Sequence, residues 1–257
     1  MTSTAQDVQD FATDWWGRIA AGFQQGPALD APAIELVLIL SAALMLSVPR
    51  PMWKYFGLFV TVVHELGHAF AALTTGRIVR GIHLRFDHSG AMISRGSGKA
   101  AAAWTGFWGY PVPAVVGAAL VWAAFNGWSS LALSVSAVLL LVTLLFIRNV
   151  QGAVIAVGLA IVSELMVFFA PPAFLGHATL AIGIALLVGA VRDWLNVVSV
   201  HTRRRQLLGN SDAYILSRRT GLPSGVWLAG FALVIAVSCA VAAGTAWSAV
   251  GPVALPF

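Results

Sequence analysis

Seven apolar runs, at 32–48, 54–75, 104–125, 128–147, 150–169, 173–195 and 226–249, take up most of a chain of 257 residues. A run of about twenty such residues crosses the roughly 30 Å hydrocarbon core as a helix, and in lipid only helices and closed barrels satisfy their own backbone. The predicted fold class is therefore an all-α polytopic membrane protein with about six to seven transmembrane helices, forming one domain over 31–250. At 59% hydrophobic and 10% charged, the composition excludes disordered and collagen-like chains. The single cysteine, Cys239, excludes an intramolecular disulfide or a thiolate metal site. Pro49, Pro51, Pro171, Pro172 and Pro223 fall between runs, where helices must end.

Residues 1–30 lack the basic and short apolar regions of a signal peptide, so this segment is expected to stay in the mature protein. Val8, Phe11, Trp15, Ile19 and Phe23 recur at helical spacing, which suits an amphipathic helix at the membrane interface or packed on the protein's own loops. If the N-terminus and the second, fourth and sixth connections share a side, that side holds 13 Lys and Arg, leaving Arg50 and Lys54 opposite. The positive-inside bias then predicts a cytoplasmic N-terminus and an external C-terminus. Arg203, Arg204, Arg205, Arg218 and Arg219 would suggest nucleic acid in a soluble chain; here they are assigned to anionic lipid headgroups.

Residues 78–95 alternate apolar and polar side chains around His88-Ser89-Gly90, which predicts a β-hairpin at the cytoplasmic surface. The second run contains His64-Glu65-Leu66-Gly67-His68, an H-E-x-x-H pattern. Residues four apart share a helical face, so His64 and His68 can grip one metal ion, with Glu65 beside it as general base. Two imidazoles, a carboxylate and an open position suit Zn2+, one per chain. An ionisable residue inside a span costs about 2.5 kcal/mol or more, so three together call for a function. A polar cluster that merely packs helices is the structural alternative.

These residues resemble the site-2 proteases, intramembrane zinc metalloproteases, and more closely their compact bacterial M50B-like branch without a PDZ domain. The likeness rests on His64, Glu65, Gly67 and His68 in a transmembrane helix, then Gly76, the hairpin and Gly109-Tyr110-Pro111-Val112-Pro113, and covers a catalytic core of about 54–200. It implies hydrolysis of peptide bonds in or near transmembrane segments of membrane-protein substrates, and residence in the bacterial inner membrane. The family draws its third ligand from an Asp-Gly pair, which this chain lacks. Asp193, near the cytoplasmic end of the sixth run, is the first choice; Asp212, Glu164 and Asp87 are the alternatives, Asp212 also reading as a helix cap. Asn149 is expected to cap a helix, with an oxyanion role as the alternative that the family suggests. His83, His88, His177 and His201 are expected at interfaces.

Substrate binding is assigned to the hairpin edge at Ile82, Leu84 and Phe86, which would pair with an unwound substrate strand. The rival functions are a catalytically inactive membrane scaffold and a metal-binding or transport protein; the catalytic carboxylate of Glu65 argues against the first, and the scarcity of other intramembrane ligands against the second.

Overall fold

The computed structural model describes residues 13, 16–17 and 19–250. The elements are α1 (Ala33–Ser47), α2 (Arg50–Thr74), β1 (Ile78–Leu84), β2 (Gly90–Arg95), α3 (Lys99–Phe107), α4 (Val112–Phe125), α5 (Ser129–Thr143), α6 (Val150–Phe169), α7 (Pro172–Thr202), α8 (Asp212–Thr220) and α9 (Ser224–Val250), with a 3₁₀ turn at Arg205–Asn210. The protein is a polytopic helical membrane protein with one small antiparallel hairpin. Most of the amphipathic helix expected before Asp30 lies outside the described residues; residues 19–22 are helical.

Every predicted apolar run folds as helix, but not all as full spans. Four helices, α2, α6, α7 and α9, are long and apolar enough to cross a membrane. A fifth crossing is available if α3 and α4, bent by 54° at their break, act together. Helices α1 and α5 have 15 residues each, about 22 Å, short of a hydrocarbon core.

The core is built on small residues that let backbones meet. A Cβ added to Gly117 of α4 would lie 2.7 Å from the Gly183 carbonyl oxygen of α7, and one on Gly183 would lie 2.8 Å from that of Gly117. Such close approach is how apolar helices gain packing energy where lipid removes the hydrophobic drive. Around this contact Ala114, Ala118, Val121 and Ala124 pack with Leu180, Leu187 and Ala190.

The path of the chain differs from the expected alternation, which would make the first and sixth runs antiparallel. Glu35 meets His177 at 2.8 Å, Ser47 Oγ donates to the Ala185 carbonyl at 3.1 Å, and Arg192 Nη1 donates to the Val48 carbonyl at 2.8 Å. Advancing along α1 advances along α7, so the two run parallel. Helix α4 packs antiparallel to α7 as expected, so one reversal is missing between α1 and α4. Arg192 binds the last carbonyls of α1 and stacks 4.2 Å over the Trp53 ring, fixing the start of α2 about 30 Å along α7.

Two corrections follow. Arg50 and Lys54 join the other described Lys and Arg residues at one end of the bundle, where α7 and α8 carry Arg203, Arg204, Arg205, Arg218 and Arg219. The described part of the N-terminal segment lies at the opposite end: Gly26 and Leu29 amides donate to the carbonyls of Gly127 and Ala124. The expectation of a cytoplasmic N-terminus put that segment on the cationic side, whereas Gly26 and Leu29 lie at the far end.

In a Cys239→Ala background, single cysteines at Arg50 and Arg218 should react with a membrane-impermeant maleimide from one side of the bilayer and one at Gln25 from the other. Labelling of positions 50 and 25 from the same side would contradict the parallel α1–α7 arrangement.

Candidate metal centre

The H-E-x-x-H segment lies in the second half of α2, unbroken from Arg50 to Thr74. Its helical spacing puts His64 and His68 on one face, and the break between α3 and α4 closes over them. Gly67 admits that break: a Cβ there would lie 2.9 Å from Val112 and closer still to the Trp108 carbonyl oxygen. Gly109 sits on the imidazoles themselves, where a Cβ would be 2.6 Å from His64 Nε2 and 2.5 Å from His68 Cε1. Tyr110 stands edge-on to His64 at 4.8 Å between ring centroids and stacks on Phe231 of α9 at 5.4 Å.

The bend also brings the Thr105 carbonyl to His68 Nδ1, at 2.7 Å. A carbonyl only accepts, so Nδ1 carries the proton and Nε2 presents its lone pair, the usual way an outer partner orients a ligating histidine.

The third donor comes from α8. Asp212 is its first residue, after Ser211, whose hydroxyl is hydrogen-bonded to His201 at 2.8 Å. Ala213 and Leu216 bury the face that docks α8, Leu216 lying against Gly106 of α3. Asp212 Oδ2 is 3.2 Å from His64 Nε2 and 3.2 Å from His68 Nε2, and the two Nε2 atoms are 3.2 Å apart. Burial works against the Asp212 carboxylate, but the two histidines outweigh it and hold the carboxyl well below its usual range.

This triangle fits a metal. Donor atoms about 2.0–2.1 Å from a tetrahedral zinc lie about 3.3 Å apart, and two nitrogens and an oxygen are a normal zinc set. Glu65 is next to the triangle but outside it. Its carboxylate accepts from the Met92 amide of β2, while Oε2 is buried without a hydrogen-bond partner among the described residues. Gly90 is required here, since a Cβ would lie 2.7 Å from Glu65 Cγ. The groups share a cavity of about 920 Å3, bounded by α2, β2, the α3–α4 bend, α7 and α8.

Among the described residues, the one group of three or more possible metal ligands is His64, His68 and Asp212. Asp193, the first choice from sequence, lines the same cavity without joining them, so the third position moves to Asp212. The physical reason is reach: α8 folds back under the bundle and delivers its first side chain to the histidines, whereas Asp193 stays on the wall formed by α7. Nor does Asp193 pair with Arg192, which is committed to α1 and Trp53. Glu164 is hydrogen-bonded to Ser134, and Asp87 accepts from the Ser89 amide and hydroxyl within the hairpin turn, interactions that hold its carboxyl below the usual range. His177 joins Glu35, and His88 meets the Lys54 carbonyl at 3.0 Å.

The hairpin reading also shifts. Ile82 and Leu84 are each 1% exposed, packed between α2 and the α5–α6 pair. The outer edge of β1 is already paired: Ile82 exchanges hydrogen bonds with Phe146 and Arg148. Asn149 extends the pairing, its side chain accepting from the Leu84 amide at 3.1 Å and donating to the Leu84 carbonyl at 2.6 Å. Asn149 is the N-cap residue of α6, as expected, its carbonyl accepting from the Ala153 amide, but its side chain extends the strand instead of capping helix amides. Phe86 lies exposed beyond the strand. The cavity wall is instead Gly90–Ser94 of β2, whose outer edge no other strand covers among the described residues. Nor is the hairpin a separate surface flap, because His88 and Gly90 are seated along α2.

The family model of Peptidase M50B-like proteins matches residues 37–243, and the chain belongs to that family. M50 peptidases are zinc metalloproteases of the membrane, in agreement with the helical bundle and the donor set. No curated protein and no solved structure matches the chain.

Purified protein should carry about one zinc per chain, retained in Glu65→Gln and Asp193→Asn and lost in His64→Ala and Asp212→Ala, measured by mass spectrometry. Loss of metal in Asp193→Asn with retention in Asp212→Ala would reverse the assignment of the third ligand.

Proposed function

We propose that the protein is an intramembrane zinc metalloendopeptidase that cuts substrates in or near a transmembrane segment. The observation that carries this reading is the 3.2 Å triangle of His64, His68 and Asp212 with an unpartnered carboxylate oxygen of Glu65 beside it. A zinc ion held by those three residues would supply Lewis acidity to the scissile carbonyl and acidify water there. Glu65 takes the proton and passes it to the leaving amine, and the Met92 amide keeps its carboxylate oriented toward the cavity.

A helical substrate hides its peptide carbonyls within its own hydrogen bonds, so it must unwind locally. The free edge of β2 offers those groups new partners by strand addition, selecting substrates by ease of unwinding. The cationic end of the bundle faces the cytoplasm by the positive-inside rule and meets anionic headgroups, so the cavity draws its water from that side. The resemblance in sequence points to a bacterial inner membrane.

Reconstituted with transmembrane-helix substrates, the wild type should cleave, and helix-breaking Gly or Pro near the cut should speed cleavage. Glu65→Gln should lower kcat by about 10²-fold or more with zinc retained. Undiminished cleavage by Glu65→Gln would overturn the role of Glu65.

A further inference from the structure

Arg77 follows Gly76 at the end of α2, is only 9% exposed and lines the same cavity. A guanidinium has five N–H donors. Nε donates to Ser94 Oγ at 3.2 Å and Nη1 to the Gly96 carbonyl at 3.1 Å; no acceptor for Nη2 and no carboxylate partner is present among the described residues. A buried cation held only by neutral groups is costly, and its natural complement is an anion delivered by a ligand. Arg219, on the last turn of α8, lines the cavity too.

Position along β2 gives this charge a meaning. Glu65 touches β2 at Gly90 and Met92, and Arg77 at Ser94 and just beyond it at Gly96. In the other direction the cavity wall carries Asp87 and Asp193. A peptide paired with β2 shares its rise of about 3.3 Å per residue, so a residue about two to four positions from the scissile bond would reach Arg77.

We infer that Arg77 is a specificity determinant that selects peptides bearing a carboxylate, either an acidic side chain or a free C-terminus, about two to four residues to one side of the cut. The position relative to the cut rests on the proposed protease reading; the carboxylate preference is tested by binding alone.

Full-length Glu65→Gln protein, zinc-loaded and in detergent, is titrated with dye-labelled apolar peptides that carry one Glu or Gln and end in a free acid or an amide. A carboxylate-bearing peptide should bind about ten-fold more tightly than its neutral counterpart, as a charged hydrogen bond warrants. Adding Arg77→Gln should abolish this preference, and Arg77→Lys should keep part of it. A preference that follows Glu assigns the side chain, and one that follows the free acid assigns the terminus. Equal binding of acid and neutral peptides by the Arg77 protein, or a preference that survives Arg77→Gln, would overturn the inference. Should Arg77→Gln not fold, the acid-to-neutral ratio of the Arg77 protein alone decides. Failure of wild type to cleave any of these peptides would count against the protease reading and leave the binding preference standing.

Discussion

Three electron-rich atoms facing one another at 3.2 Å are the interaction on which the structure turns. Lone pairs so close repel unless a cation or a proton lies among them, so the surrounding chain must force the approach. Two of the atoms come at no topological cost, from residues four apart on one helix. The third arrives from α8, almost 150 residues later, and requires α7 to run past the site, the 3₁₀ turn to reverse the chain, and α8 to dock against α3. The α3–α4 bend closes the remaining side. Gly67 and Gly109 permit that closure, while Thr105 at the end of α3 orients His68.

A second constraint is the backbone of the hairpin. Strand edges are intolerable in contact with lipid, so each edge needs a partner or a polar cavity. The β1 edge is covered by residues 146–149, with the Asn149 side chain imitating a peptide group opposite Leu84. The β2 edge faces the cavity, where Glu65 takes one of its amides. Strand pairing and catalytic geometry thus share the same atoms: Gly90 and Met92 belong both to the sheet and to the environment of Glu65.

Local features of the fold were legible from the sequence, and long-range ones were not. Apolar runs located every helix but α8, because lipid solvation reads composition directly and α8 is polar, and the prolines marked several of their ends. The H-E-x-x-H spacing placed His64, Glu65 and His68 correctly relative to one another, since helical periodicity alone fixes them. Alternation likewise located both strands. The choice between Asp193 and Asp212 depended on the docking of α8, for which the sequence holds one faint signal: Ala213 and Leu216 form a buried face beside Asp212, with Arg218 and Arg219 exposed on the last turn. The direction of α1 was hidden for a different reason. Counting spans assumes that each break reverses the chain, and one of the breaks between α1 and α4 does not. In sequence, the partially buried Arg192 that joins α1 to the start of α2 is indistinguishable from the other 12 cations counted on the cytoplasmic side.

The central claim is that His64, His68 and Asp212 form one zinc site. X-ray absorption at the zinc edge of the full-length protein in detergent tests it most directly. The account predicts a first shell of nitrogen and oxygen at about 2.0–2.1 Å, with outer-shell scattering from two imidazoles and no sulfur. In Asp212→His the imidazole count should rise to three. A spectrum of a single imidazole, or one indifferent to any change at Asp212, would contradict the account.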